Sequence, residues 1–466
     1  MVLKIRLKNV TKRHLFRKSI TSFLVANMLC MSLASPIMNA VSNRGEFITT
    51  YTPTLIEEEK VNRIPSADSL GLKVKSAILM EVSTGQVLLN IKGDEARPPA
   101  SMVKMMTEYI VAEQINKGQF NWDDIVEIQN NAAESIGSRI FLAVGDKHTV
   151  KELFIAMTVG SANDATVALA EYVAGSEENF VKKMNEEAQR MGMNNTYFIN
   201  STGLDRADMP VDYRPAEDRE TLMSALDAAI LCRYLIKDFP DYKEFTTIQS
   251  YKFRPNDTSS IINNNWMLEE NKDIRSFKSY AYEGIDGMKT GHTTSAGNNF
   301  TGTAERNGIR FISVVMGTSS ESARFRETQK VLDYGFNNFS EIKQVIDEKS
   351  MVTGWESVSL KMGTKTTVPI VTDSAVGFVI PKDTQNIDVT FKTNISSEDQ
   401  LVAPIKAGTK VGTVTYTYKV EGTDPQEKTV NLITSEDVDK ASWFRLFFRA
   451  IAAFFTDLFD SISNLF

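Results

Sequence analysis

Two short apolar runs, Ala77–Val82 and Gln86–Leu89, flank Ser83-Thr84-Gly85 after a polar lead-in to about Leu70. That alternation predicts a β-hairpin. Apolar residues then recur at helical spacing from Ser101 through Thr107–Ile115, with a stop near Gly118. The same periodicity over Val150–Thr158, opened by Thr149 and ended by Gly160, predicts a capped helix, and further helices follow from Asp164 to Val173 and over Glu177–Met191. The helical block reaches about Asp238, interrupted by a charged, proline-containing loop at 205–220. From Gly284 the period changes to two: strands are expected over Ile285–Thr293, Asn299–Ala304 and Arg310–Met316, the last two joined by an Asn307-Gly308 turn. A helix over Ala323–Phe336 closes the unit. Strands at both ends with helices between them predict an α+β domain, an antiparallel sheet carrying helices.

Beyond Lys349 the pattern is that of a small all-β domain, with alternation at Ile387, Val389 and Phe391 and again at Val414, Tyr416, Tyr418 and Val420. The chain ends in an amphipathic segment. Arg445, Arg449, Thr456 and Asp460 fall on one helical face, opposite Trp443 and a set of phenylalanines. So aromatic a face predicts a helix lying in a membrane interface rather than one hidden against a small β domain. We therefore divide the chain into 1–40, 41–345, 346–437 and 438–466.

Composition changes the picture at the N-terminus. Seven basic residues from Lys4 to Lys18 precede the apolar Ile20–Met38, with no acidic residue among the first forty, and Met38-Asn39-Ala40 supplies a cleavage site. This is the pattern of a secretory signal peptide. Its removal would shift the formal charge from −7 to −14, a balance that argues against a nucleic-acid partner. Cys30 would leave with the signal, so the exported chain keeps Cys232 alone, in an apolar helical run where a buried thiol is expected. His14 leaves too. With His148 and His292 remaining, neither a metal site of the usual spacing nor a Ser-His-Asp triad is expected.

The candidate chemistry starts at Ser101-Met102-Val103-Lys104, behind Pro98-Pro99. A spacing of three puts hydroxyl and amine on one helical face, and a desolvated lysine loses its proton readily enough to serve a serine without histidine. By itself the pattern describes an ordinary amphipathic helix, and Ser340-Glu341-Ile342-Lys343 repeats it. Two further segments give it company. Gly160-Ser161-Ala162-Asn163 lies in a break between helices and offers a hydroxyl and an amide; Met288-Lys289-Thr290-Gly291-His292-Thr293 lies on the first strand after the helical block. There Lys289 and Thr290 suit a ligand carboxylate, and Gly291 permits close backbone approach.

In order and separation these segments match the S-x-x-K, S-x-N and K-T-G motifs of penicillin-binding proteins and serine β-lactamases. The chain resembles the low-molecular-mass D-alanyl-D-alanine carboxypeptidases, a resemblance that also covers Asn200-Ser-Thr-Gly-Leu204 and Ala403-Pro-Ile-Lys-Ala-Gly408. It implies a β-lactamase/DD-peptidase-like catalytic domain in which Ser101 is the nucleophile, Lys104 its base, Ser161 a proton relay and Asn163 a holder of the substrate amide. Lys289 and Thr290 complete the proton network and carboxylate site, with Gly291, His292, Thr293 and Arg324 on the substrate side. The backbone N–H groups of Ser101 and His292 form the oxyanion hole. The implied substrate is the peptidoglycan stem peptide, β-lactam antibiotics are the implied inhibitors, and no cofactor is implied. The implied place is the outer face of the cytoplasmic membrane of a Gram-positive bacterium, held by the C-terminal helix.

Two alternatives stay open at this level. A serine β-lactamase is disfavoured because Ala162 stands where class A enzymes carry aspartate and no Glu-x-x-Leu-Asn segment is evident. A non-catalytic wall-binding scaffold on the same fold is disfavoured by intact Ser101, Lys104 and Lys289.

Overall fold

The computed structural model describes residues 64–463 except 383, 385–386, 397–400 and 420–424, with side chains described as far as 456. The expected signal peptide, Val420 and the Asp460 side chain lie outside the described residues.

The two N-terminal strands are β1 (Ser76–Glu81) and β2 (Val87–Ile91), and the first long helix is α1 (Lys104–Asn116). The long helices that follow are α2 (Val150–Gly160), α3 (Asn163–Ala174), α4 (Glu177–Met191) and α5 (Ala225–Asp238). Then come β3 (Ile285–Thr293), β4 (Gly297–Arg306), β5 (Ile309–Thr318) and α6 (Glu321–Asn338). The five strands form one antiparallel sheet in the order β2-β1-β5-β4-β3. The chain's N-terminal hairpin thus lies beside strands that arrive more than two hundred residues later, with Ile78 opposite Val314.

Every residue of β1 is buried, because the sheet is covered on both faces and each strand therefore reads as a nearly continuous apolar run. Ile78, Met80, Ile312 and Val314 pack with α1 and α5, while Ala77, Leu79, Phe311 and Val315 pack with α6. The β4–β5 connection places Asn307 and Gly308 at φ 52° and 78°, the left-handed pair that a tight hairpin turn needs. A separate helical lobe is built where α2 and α3 bury Leu153, Ala156, Met157, Ala165 and Leu169. Its entry is a capping box: Thr149 Oγ1 accepts from Glu152 N–H (3.1 Å) while the Glu152 carboxylate accepts from Thr149 N–H (2.9 Å).

The C-terminal region contains β6 (Phe339–Ile346), β7 (Ser357–Ser359), β8 (Thr367–Thr372), β9 (Val376–Pro381), β10 (Val389–Ile395), β11 (Lys410–Tyr418) and β12 (Gln426–Thr434). A sheet of order β7-β8-β12-β11-β10 and the β6-β9 pair close over Val368, Ile370, Phe378, Val414, Tyr418 and Leu432. Strand β6 runs across the 345/346 division. Gln86 joins the two regions by accepting from Val379 N–H (2.8 Å) and donating to Val379 O (3.3 Å). Helix α7 (Trp443–Ser463) follows; Arg449 donates to the carbonyls of Gly363 (2.7 Å) and Thr364 (2.8 Å), while Trp443, Phe444, Phe447, Phe448, Phe454 and Phe455 are exposed. Among the described residues no helix is long and apolar enough to cross a membrane.

Candidate active site

Ser101 lies in a 3-10 turn, Ala100–Val103, and Lys104 is the first residue of α1. Helical periodicity places the pair on one side of the chain, as expected, although the helix proper begins three residues later than the serine. Met102, Val103, Met105 and Met106 are fully buried, and each such side chain contributes about 1.5–3 kcal/mol of anchoring. Lys104 is fully buried among them. Its Nζ donates to Thr202 O at 2.7 Å and lies 3.0 Å from Ser101 Oγ.

The loop that supplies Thr202 is itself held tightly. Asn200 Oδ1 accepts from the N–H groups of Thr202 (3.2 Å) and Gly203 (2.7 Å), and Glu177 Oε1 accepts from Ser201 N–H (2.9 Å) and Oγ–H (2.6 Å). Gly203 has φ +84°, and a Cβ there would sit 2.0 Å from Ala100 O. Only glycine lets this loop press against the serine turn.

The Ser161 segment is a sharp joint between two buried helices. Ser161 has φ 57° and is the C-cap of α2, and Ala162 is the N-cap of α3. Ser161 and Asn163 are 5% and 3% exposed. Asn163 Nδ2 donates to Ile136 O at 2.6 Å, and its Oδ1 has no partner among the described residues, so the acceptor end of the amide is the end left for a ligand N–H. The next residue, Asp164, is buried and accepts from the N–H groups of Ile140 (3.0 Å), Leu142 (3.1 Å) and Ala165 (2.9 Å), tying the 140–142 loop to this joint.

Strand β3 forms the third wall. A Cβ on Gly291 would come within 2.5 Å of Pro99 O and 3.3 Å of Met102 Cγ, so its backbone lies directly on the serine turn. Strand alternation puts Lys289 and Gly291 on that face. Their cross-strand partners Thr301 and Asn299 point the same way, bonding Met102 Sδ (3.2 Å) and Pro98 O (3.1 Å). Lys289 is buried, and its Nζ donates to Thr290 O at 3.3 Å. Thr290, opposite Phe300, faces the layer of α6, where Arg324 is 3% exposed with Nε unpartnered. The His292 ring is exposed and lies 3.1 Å from Gly297 O at the β3–β4 turn, and Thr293 Oγ1 bonds Asp205 at 3.3 Å.

Burial dominates the electrostatics. It holds the Lys104 amine well below the ordinary lysine range, and the neighbouring Lys289 adds to this while Glu108, Asp164 and Glu177 oppose it. Burial lowers Lys289 as well, against the attraction of Glu108. Burial in turn raises Glu108, with Lys289, the Thr158 hydroxyl and Lys104 opposing. Two amines and a carboxyl thus share the protons of one dry site.

Glu108, Asp164, Glu177 and Asp205 also border the site, and none of them belongs to the three motifs. Glu108 stands four residues after Lys104, a helical spacing that was available as a signal. Glu177 and Asp205 are brought in by the folding of distant loops, which no local pattern announces.

A serine and a desolvated lysine at hydrogen-bond distance, between a helical lobe and the edge of a five-stranded antiparallel sheet, are the arrangement of a serine hydrolase. The chain belongs to the D-alanyl-D-alanine carboxypeptidase family, whose profile matches residues 63–320, and a second profile, penicillin-binding protein 5 C-terminal domain, matches 341–440. The chain is 32% identical to D-alanyl-D-alanine carboxypeptidase DacF of Bacillus subtilis, over 87% of its own length and 96% of the relative's. Against DacC of Escherichia coli the figures are 30%, 89% and 95%. Penicillin-binding protein 5 of Haemophilus influenzae superimposes with a TM-score of 0.63 at 30% identity, covering 79% of this chain and 98% of that one. PBP3 of Streptococcus pneumoniae, described as a peptidoglycan synthesis regulatory factor, gives 0.56 at 28% identity, covering 78% and 99%.

Proposed function

We propose that this chain is a serine D-alanyl-D-alanine carboxypeptidase that trims the terminal D-alanine from peptidoglycan stem pentapeptides. The observation that carries the assignment of roles is the 3.0 Å contact between Ser101 Oγ and an amine buried too deeply to hold its proton in the ordinary way. Neutral Lys104 takes the hydroxyl proton as Oγ attacks the carbonyl carbon between the last two D-alanines. The N–H groups of Ser101 and His292 stabilise the oxyanion. Collapse of the tetrahedral adduct breaks the C–N bond, and the proton passes through Ser161 to the departing amine. Asn163 Oδ1 accepts from the substrate amide, and Thr290 and Arg324 bind the terminal carboxylate, with Lys289 keeping the site positive. Water then hydrolyses the acyl ester and restores Ser101. A penicillin enters by the same acylation and remains as the ester.

Residues 346–437 act as a spacer, and α7 as a membrane-surface anchor on the outer face of the cytoplasmic membrane of a Gram-positive cell. Supporting this is the division of labour along α7: Arg449 is spent on backbone carbonyls of the β region while the aromatic face is left exposed. Export depends on the 1–40 segment, read from sequence. The deciding experiment is stoichiometric labelling by a fluorescent penicillin together with D-alanine release from a stem pentapeptide. Absence of labelling in the wild-type chain overturns the catalytic assignment, and rapid β-lactam turnover without D-alanine release makes it a β-lactamase. Deleting residues 440–466 should leave a soluble, active enzyme; continued sedimentation with membranes would remove the tail from its role.

A further inference from the structure

Farther along α1, on the side of the helix that carries Lys104 and Glu108, a cavity of about 260 Å³ opens between α1, α2 and the segment 239–246. Its walls are aromatic: Trp122, Phe154 and Phe245 contact one another at centroid distances of 4.9–5.1 Å. Its inner end is polar. Glu108 and Thr158 line it, 3% and 5% exposed; the two interact with each other, yet neither Glu108 Oε1 nor Thr158 Oγ1 makes a well-aligned hydrogen bond among the described residues. Buried oxygens of this kind are rare and costly to leave unpaired. Met288, the residue before Lys289, lines the cavity too, so this pocket and the serine site share a wall.

We infer that this cavity is a second ligand site, for a small uncharged aromatic molecule carrying one N–H or O–H donor, and that its occupation slows acylation at Ser101. The ring suits the aromatic walls, and the donor meets Glu108 Oε1. A cation is the wrong occupant at that depth, because Glu108 already faces Lys104 on its own helix and Lys289 on β3. The charged Lys151, Asp241 and Glu244 stand at the exposed mouth. The coupling has a definite sign. A donor bound to Glu108 favours its carboxylate form. That charge draws protons onto Lys104 and Lys289, and a protonated Lys104 cannot accept the Ser101 proton.

The probe is 4-fluorophenol, with fluorobenzene as its donor-less counterpart, observed by fluorine NMR on the full chain. Saturable binding of the phenol is expected, roughly tenfold tighter than fluorobenzene, the difference that one buried hydrogen bond supplies. Ala112→Leu narrows the cavity from its wall and Phe245→Ala removes one aromatic side; either should abolish or weaken binding several-fold with acylation in the absence of phenol retained. Saturating phenol should reduce the rate of acylation by a fluorescent penicillin severalfold, most strongly on the acid side of neutrality. No saturable binding, equal affinity for the two probes, or binding untouched by both substitutions overturns the site. An unchanged acylation rate at saturation overturns the coupling. The acylation arm rests on the proposed function and the binding arm does not, so a chain that binds phenol but takes no penicillin fails only the former.

Discussion

The pattern serine, two residues, lysine occurs twice in this chain, at Ser101–Lys104 and at Ser340–Lys343, and the two copies have nothing chemical in common. The first sits where a 3-10 turn enters α1, fully desolvated at the lysine, with Nζ 3.0 Å from Oγ. The second lies on β6, where residues three apart point to opposite faces about 10 Å from one another. Ser340 is exposed and Lys343 stands opposite Phe378 of β9. The difference teaches that this motif is a statement about helical periodicity and burial, not about residue identity. What surrounds Lys104 lowers its hold on a proton: the sheet edge at Gly291, the Asn200–Leu204 loop and the apolar methionines exclude water from it.

The comparison is broken most severely at the nucleophile. Ser101→Ala should abolish penicillin labelling, while Ser340→Ala leaves it at the wild-type level; labelling lost in the second variant would mean the wrong serine has been assigned. Next in size, Lys104→Met should reduce the acylation rate by at least about 10²-fold, the scale of a lost general base, with Lys343→Met unaffected. Rates within a few-fold of wild type for Lys104→Met would remove the lysine from proton transfer. Gly203→Ala should also acylate poorly with the chain still folded, since the added methyl collides with Ala100 O and moves the serine turn. A crystal structure of that variant with an undisplaced Ser101 would contradict this account.

Burial of Lys104 also predicts a pH dependence. Its folded pKa lies well below the ordinary value of 10.5, so between those two pH values the unfolded chain holds one more proton than the folded one. Stability from this group therefore rises with pH across that interval, and the burial costs most on its acid side. The melting temperature of Lys104→Met relative to wild type should accordingly fall as pH climbs toward the lysine range; a pH-independent difference would show that the amine keeps its ordinary pKa. Acylation should rise with pH through the same lowered value. The smallest effect belongs to the capping box that starts α2, the helix ending at Ser161. Thr149→Ala should destabilise by about 1 kcal/mol in denaturant melts and leave labelling untouched.

Much of this was legible without coordinates. The α2 and α4 spans, the β3 limits, the Asn307-Gly308 turn and the buried Cys232 follow from period, caps and turn residues, which act over a few positions and leave a local trace. The three motifs named their own serines, lysines and asparagine. Less was visible in the Gly160–Asn163 joint: the break between helices is evident, but not that Ser161 takes the left-handed C-cap position while Ala162 caps the next helix without a side-chain bond. The strand pattern around Lys289 does not announce its burial.

What the chain alone determined was which elements form and which residue types are offered to the site, because helical and strand periods are written in neighbouring residues. Tertiary structure decided the rest. It placed Gly203 and Gly291 against the serine turn, set Thr202 O on the Lys104 amine, and put Glu108 between two lysines and an aromatic cavity. The physical reason is desolvation. Whether an amine is a cation or a base depends on how much water and charge surround it, and that is fixed by segments far along the chain, such as Thr202, 98 residues away.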